Sequence, residues 1–242
     1  MIRILKKEIL GYFNSVIAYL VIGVFLVVMG LLVWVFPDTS VLSYGYADLD
    51  SLFSFGPYVL LFLAPAITMR LFADEEKLGT LELLMTKPLR DWDIILGKYI
   101  SAILLLAFSL APTLVYYFSV SSLGIPPGNI DTAGVAGSYI GLFLLGCVFL
   151  SFGLFASSLT SNQILSFIIG AFLSFFFYNG FDAISGLSLS PAIALMVEQT
   201  GILYHYQAMS KGLIDSQDLL YFIGLILVFL FLTKIKLGSR KW

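Results

Sequence analysis

The sequence holds one cysteine, Cys147, and one histidine, His205, among 242 residues. A lone cysteine forms no disulfide within the chain. Zinc sites take three or four Cys, His or acidic ligands, so neither residue supports one. Charge is scarce as well. Asp, Glu, Lys and Arg make up 12% of the chain, against roughly 25% in soluble domains. There is no GxxxxGK[ST] run to cradle nucleotide phosphates, because Gly97-Lys98 lacks both the upstream glycine and the following Ser or Thr. There is no HExxH, and no GxSxG-type nucleophile near His205. These absences exclude a nucleotide-hydrolysing domain, a zinc peptidase and a serine-type intramembrane hydrolase. If ATP drives this chain, another chain binds it.

What is present is apolar: 60% of residues are hydrophobic. A soluble core does not absorb that much apolar surface, so lipid must be the solvent. Runs at 16–36, 52–69, 99–120, 137–157 and 164–181 have about the length of a bilayer-crossing helix. A sixth, at 219–237, is short unless it runs the full way to Leu237. The expected fold is an all-α integral membrane protein with six transmembrane helices, one transmembrane domain over 1–242. Pro65 and Pro112 should kink the second and third spans. Gly137, Gly141, Gly146 and Gly153 give the fourth span a face for close helix packing. No span interior carries a clear ionisable residue, which weighs against ion-coupled transport.

Residues 2–14 read as an amphipathic helix. At about 100° per residue, Ile2, Leu5, Ile9 and Phe13 share one face and Arg3, Lys7 and Asn14 another, with Lys6 between. Two readings stand: an interfacial helix with its basic face toward anionic headgroups, or a positive flank of the first span. The segment is too charged for a signal-peptide core and no small-residue cleavage site follows, so it reads as retained. With both termini in the cytoplasm, twelve of the thirteen Lys and Arg lie inside, all but Lys211. The positive-inside rule favours that orientation.

Residues 182–217 form the longest outer segment. Ser190-Pro191 has the form of an N-cap followed by proline at the first helical position, opening a helix to about Met209. Asp215 to Asp218 resembles the cap of the sixth span. His205, between Tyr204 and Tyr206, reads as a structural or interface residue, or as a contact for a partner.

The one long charged stretch is 70–98. Asp74, Glu75 and Glu76 suit a helix first turn. Leu78, Leu81 and Met85, with Leu84 offset, form an apolar stripe on the same predicted helix; Glu82 lies off it and Lys87-Pro88 ends it. Asp91 or Asp93 then caps the next helix. The spacing fits a solvated re-entry loop and equally a docking helix that inserts apolar residues into a groove on a cytoplasmic partner.

Residues 69–98 carry Glu75-Glu76, Gly79-Thr80-Leu81-Glu82-Leu83-Leu84, Lys87-Pro88 and Leu96-Gly97-Lys98 in that order. This run resembles the ABC-2 class of ATP-binding-cassette permeases. The resemblance implies that the loop between spans two and three is a coupling helix that contacts an ABC ATPase, through Glu75, Glu76, Leu78, Gly79, Thr80, Leu81, Glu82, Leu84, Met85 and Lys87. It implies an N-terminal interfacial helix at 2–14 and short outer helices at 191–209. ATP and Mg would be bound by the ATPase, with no cofactor, metal or nucleic acid on this chain.

Ala64-Pro65-Ala66-Ile67-Thr68-Met69-Arg70, Gly128-Asn129-Ile130-Asp131-Thr132, Ser161-Asn162-Gln163-Ile164 and the run from His205 to Phe222 narrow the likeness. They are similar to gliding-motility-associated permease subunits of the GldF type. That narrower resemblance implies the bacterial inner membrane, a second membrane subunit with a large periplasmic domain, and no named substrate. Six spans per chain imply that two chains, identical or different, form the pathway. The alternative is a membrane scaffold that anchors a periplasmic machine without transporting.

Overall fold

The computed structural model describes residues 1–85, 90–187 and 190–239, with side chains for all of these except 44 and 83–85. Among the described residues there is no strand. The helices are α1 Ile2–Phe13, α2 Val16–Trp34, α3 Val41–Tyr44, α4 Asp50–Thr68, α5 Ala73–Lys77, α6 Thr80–Met85 and α7 Asp91–Leu110. A 3₁₀ turn, Ala111–Thr113, leads into α8 Leu114–Leu123. Then come α9 Thr132–Leu159, α10 Gln163–Phe175, a π turn Phe176–Gly180, α11 Phe181–Ser185, α12 Pro191–Glu198, α13 Ile202–Met209 and α14 Ser216–Gly238.

Six helical stretches are long and apolar enough to cross a membrane: Val16–Trp34, Asp50–Lys77, Asp91–Leu123, Thr132–Leu159, Gln163–Ser185 and Ser216–Gly238. Each expected span falls on one of them. The second, third and fourth extend beyond the uncharged runs, so Asp91, Asp93 and Lys98 lie on the same continuous helix as the third span. The sixth runs its full length because Asp215 caps it, accepting a hydrogen bond from the Gln217 N–H at 3.4 Å.

α9 is the spine. It is apolar on nearly every side, and such a helix buries itself among others. It packs against α4, α7, α10 and α14. The tightest crossing is at Gly153. A Cβ there would stand 2.0 Å from Thr68 Oγ1 and 3.3 Å from Pro65 Cα of α4. Gly170 of α10 faces the same point, and its Cβ would meet Gly153 Cα at 3.2 Å and Pro65 Cβ at 3.3 Å. Pro65 is therefore seated in a notch cut by two glycines. Helix packing in lipid relies on such close approach.

The kink expected at Pro112 takes the form of the 3₁₀ turn between α7 and α8. A neighbour occupies the Thr113 carbonyl: Tyr139 of α9 donates to Thr113 O at 2.9 Å. The π turn after α10 was not foreseen. It brings Phe177 onto Phe152 and Phe229, at ring-centroid distances of 5.1 and 5.6 Å. Residues 191–209 are two short helices, as the resemblance implied, and not the single helix that the Ser190-Pro191 pattern predicted. Gly201 adopts an extended conformation between them, with φ −85° and ψ 147°, and starts α13 in a new direction.

Gly153→Val should lower the thermal unfolding temperature in detergent by an amount equivalent to about 1–3 kcal/mol, since the added atoms have no space. Gly23→Val, where nothing lies within 4 Å of a Cβ, should leave it nearly unchanged. Equal melting of the two variants would show that the α4–α9–α10 crossing is not the tight contact described.

Candidate functional site

Lys98 sits in the second turn of α7 with its side chain fully buried, at 0% exposure. An isolated ammonium at such a site is too costly to persist, so its partners define the site. Its Nζ stands 2.8 Å from Glu8 Oε1 of α1 and 2.9 Å from Glu75 Oε2 of α5. It donates to the Leu71 carbonyl at 2.6 Å and lies 5.2 Å from the centre of the Phe72 ring. A second lysine completes the cluster. Lys7 donates to Glu75 Oε1 at 2.6 Å and lies 3.8 Å from Glu8 Oε1. Two ammonium groups thus balance two carboxylates. Burial by itself lowers the Lys7 pKa, but the hydrogen bond and charge of Glu75, and then Glu8, outweigh it and raise it above the ordinary lysine value. The cluster is graded in depth: the Lys7 side chain is 62% exposed, those of Glu8 and Glu75 15% and 11%, and Lys98 none.

Three elements deliver these groups. In α1, Ile4, Glu8 and Tyr12 recur every four residues and share the inward face. α1 lies close on α7 at Gly97, where a Cβ would be 3.1 Å from Ile4 Cβ. Farther along, Tyr12 donates to Ile67 O at 2.9 Å, and the Arg70 guanidinium stacks over the Tyr12 ring at 4.8 Å while donating to Ser15 Oγ at 2.8 Å. The start of α5 is held from α9. Ser157 Oγ accepts from the N–H groups of Phe72 and Ala73 at 3.0 and 3.1 Å and donates to Met69 O at 3.0 Å. Gln163 of α10 donates to Asp74. Glu75 therefore enters the cluster from a helix fixed at its base.

The predicted single docking helix is two helices. Gly79 has φ +67°, a left-handed conformation that ends α5 after Leu78 and lets α6 begin at Thr80. The expected stripe is broken with it. Leu78 is 73% exposed while Leu81 is 5% exposed, so the two leucines do not share a face. Glu76 is half-buried, and Gly79, Thr80 and Glu82 are exposed. Thr80 Oγ1 donates back to Glu75 O at 3.3 Å, bracing the turn. The side chains of Leu84 and Met85, and Lys87 altogether, lie outside the described residues. Arg90 occupies the N-cap position of α7, and Asp93, three residues on, accepts from the Arg90 N–H at 3.3 Å. A cleft of about 270 Å³ separates α1 from α5, lined by Lys7, Glu8, Tyr12, Arg70, Glu75 and Leu78 among others.

α1 forms where the pattern predicted, and the protein packs on its Ile4, Glu8 and Tyr12 face, leaving the predicted apolar face toward the surface and the flank. Ile2 and Phe13 are 74% and 39% exposed, and Leu5 and Ile9 are half-buried on the flank. Sequence reasoning passed over Glu8 and gave Lys98 no role beyond its motif. The signals were there: Glu8 is the sole acid in a basic helix, and Lys98 lies in register with Ile94, Ile95, Ala102 and Leu105, all buried.

At the opposite end of α14, His205 is an internal tie. Its Nδ1 is 2.7 Å from Asp218 Oδ1 and its Nε2 is 3.0 Å from Gln199 O. Its ring stacks on Tyr221 at 3.9 Å. It joins α13 to α14, so Asp218 serves this pair while Asp215 alone caps α14.

A family model described as "ABC-2 family transporter protein" matches residues 39–238. The chain is similar to the probable multidrug ABC transporter permease YbhR of Escherichia coli (strain K12), and equally to the protein of that name in Escherichia coli O157:H7. Each is 33% identical over 103 residues. The match covers 42% of this chain and 26% of the relative, so the chain spans about a quarter of the relatives' length.

Lys98→Met would leave Glu8 and Glu75 buried against each other. It should cost about 3–5 kcal/mol, the range for breaking a buried ion pair from one side. Lys98→Met combined with Glu8→Gln should recover part of that loss. Unfolding temperatures in detergent measure both, and a Lys98→Met protein as stable as the parent would show that the cluster does not hold α1, α5 and α7 together.

Proposed function

The chain belongs to the ABC-2 family of transporter proteins, and from that premise we propose that it is the membrane permease subunit of an ATP-binding-cassette complex whose separate ATPase docks on α5, the Gly79 turn and α6. The observation that carries this reading is Leu78. It is a large apolar side chain, 73% exposed, at the tip of a helix whose base is bonded to α9 and α10 and whose Glu75 is tied to α1 and α7. An exposed apolar side chain on a rigidly held tip is suited to insertion into a partner's groove. Motion imposed there passes to the spans through the Lys98 cluster and the Ser157 bonds. Leu81 supports the turn from inside, and Glu76, Gly79, Thr80 and Glu82 flank Leu78 on the contact side. The resemblance to the ABC-2 permeases assigns Leu84, Met85 and Lys87 to the same contact.

ATP and Mg belong to the ATPase in this reading. The end that carries α1 and α5 faces the cytoplasm of a bacterial inner membrane, with both termini on that side, which agrees with the distribution of Lys and Arg. The whole chain acts as one transmembrane domain, and two such domains, identical or different, form the working unit. The closer resemblance, to the gliding-motility-associated permease subunit GldF, favours a complex that includes a membrane subunit with a large periplasmic domain and works in gliding motility. The match to a multidrug permease covers a minority of each chain and assigns no substrate.

Leu78→Asp should weaken copurification of the ATPase about thirtyfold, as loss of a central apolar contact of about 2 kcal/mol does, while leaving the membrane protein folded. Leu81→Asp, which buries a charge, should reduce the yield of folded protein instead. Undiminished ATPase capture by folded Leu78→Asp protein would sink the docking reading.

A further inference from the structure

α1 has an outer surface that none of the described residues covers. Arg3, Lys6 and Lys7 are exposed on it, together with Ile2, Leu10 and Phe13. The one acid of α1, Glu8, is turned away from this surface and spent on Lys98. Arg3 and Lys6 therefore give the outer surface a positive charge that no acid of α1 offsets. Its apolar edge, Ile2 and Phe13, continues into the exposed Val16, Ile17 and Leu20 at the start of α2, a helix long and apolar enough to cross a membrane. An apolar edge joined to a spanning helix and a basic edge beside it match one surface, the boundary between acyl chains and anionic headgroups.

Lys7 gives this surface a consequence. It stands at the basic edge, 62% exposed, yet its ammonium is 2.6 Å from Glu75 Oε1 on α5. The other cation of Glu75, Lys98, is out of reach of any lipid. Lys7 is thus the one member of the cluster that a lipid phosphate can capture. We propose that α1 binds anionic phospholipid headgroups, and that a headgroup competing with Glu75 for Lys7 loosens α5 from α1, so that the charge of the membrane surface regulates the mobility of the docking tip at Leu78. That this alters ATP-driven work rests on the permease reading above; the lipid response of α5 does not.

The test uses the full chain without its ATPase, reconstituted in vesicles of phosphatidylcholine or of phosphatidylcholine with an equal part of phosphatidylglycerol. A spin label is placed at Leu78→Cys in a Cys147→Ala background. The label should be more mobile in the anionic vesicles. Lys7→Gln should abolish the difference between the two vesicles, leaving the label mobile in both, and Lys7→Arg should restore it. Arg3→Gln with Lys6→Gln, which touches neither Glu75 nor Lys98, should reduce the response at the same lipid composition. Inorganic phosphate added to neutral vesicles should leave the spectrum unchanged. Identical mobility of the parent in both vesicles, an undiminished response in Lys7→Gln, or a full response to free phosphate would each overturn the proposal. Such a failure leaves the docking reading standing, because no ATPase takes part. Conversely, undiminished ATPase capture by Leu78→Asp overturns docking and leaves the lipid response intact.

Discussion

A single buried ammonium sets the arrangement of one end of this molecule. Lys98 has no access to water, so every hydrogen of its head group must find an oxygen within the protein. It finds them on three separate elements: a carboxylate on α1, a carboxylate on α5 and the Leu71 carbonyl between α4 and α5. Each partner restricts the others. α1 cannot rotate about its axis without withdrawing Glu8, and α5 cannot slide without withdrawing Glu75. A buried ion cluster contributes little net stability compared with apolar packing of the same volume, but breaking it from one side is expensive. Such a cluster suits a place where elements must move together or not at all.

The rest of the structure supports that end from behind. α9 lies between α4, α7, α10 and α14, and its small residues let those helices come close enough for short polar links to matter. Ser157 is the clearest case. It lies one turn beyond Gly153, where α4 crosses most closely, and there its hydroxyl reaches the Met69 carbonyl and the Phe72 and Ala73 N–H groups in one place. Packing at Gly153 and hydrogen bonding at Ser157 are therefore consecutive parts of one contact. Through it the base of α5 is continuous with the middle of the bundle.

Much of this was legible in the chain because its signals are local. Apolar runs of spanning length, the glycines of 137–153, Pro112 and the cap at Asp215 act over a few residues, and the helices formed where they indicated. The reading failed where a local pattern has two continuations. Leu78, Leu81 and Met85 are spaced as a helical stripe, but Gly79 also permits a left-handed turn, and the turn prevails. Ile2, Leu5, Ile9 and Phe13 are spaced as an apolar face for the membrane boundary, and that periodicity did not single out the neighbouring face of Ile4, Glu8 and Tyr12 on which the protein packs. An amphipathic helix next to a membrane has two apolar environments to choose between, and periodicity alone does not say which face meets which.

The sequence by itself determined the solvent and the number of crossings, because composition and run length decide those without reference to contacts. It also placed α5 and its acids between the second and third spans. Only the tertiary structure decided what those acids do. Glu8, Glu75 and Lys98 stand as many as 90 positions apart, and pairing over such separations depends on how α1, α4 and α7 pack. The same packing turned the charged stretch that stood out in the chain into two different things: a buried ion cluster that fixes a helix, and an exposed leucine at its tip.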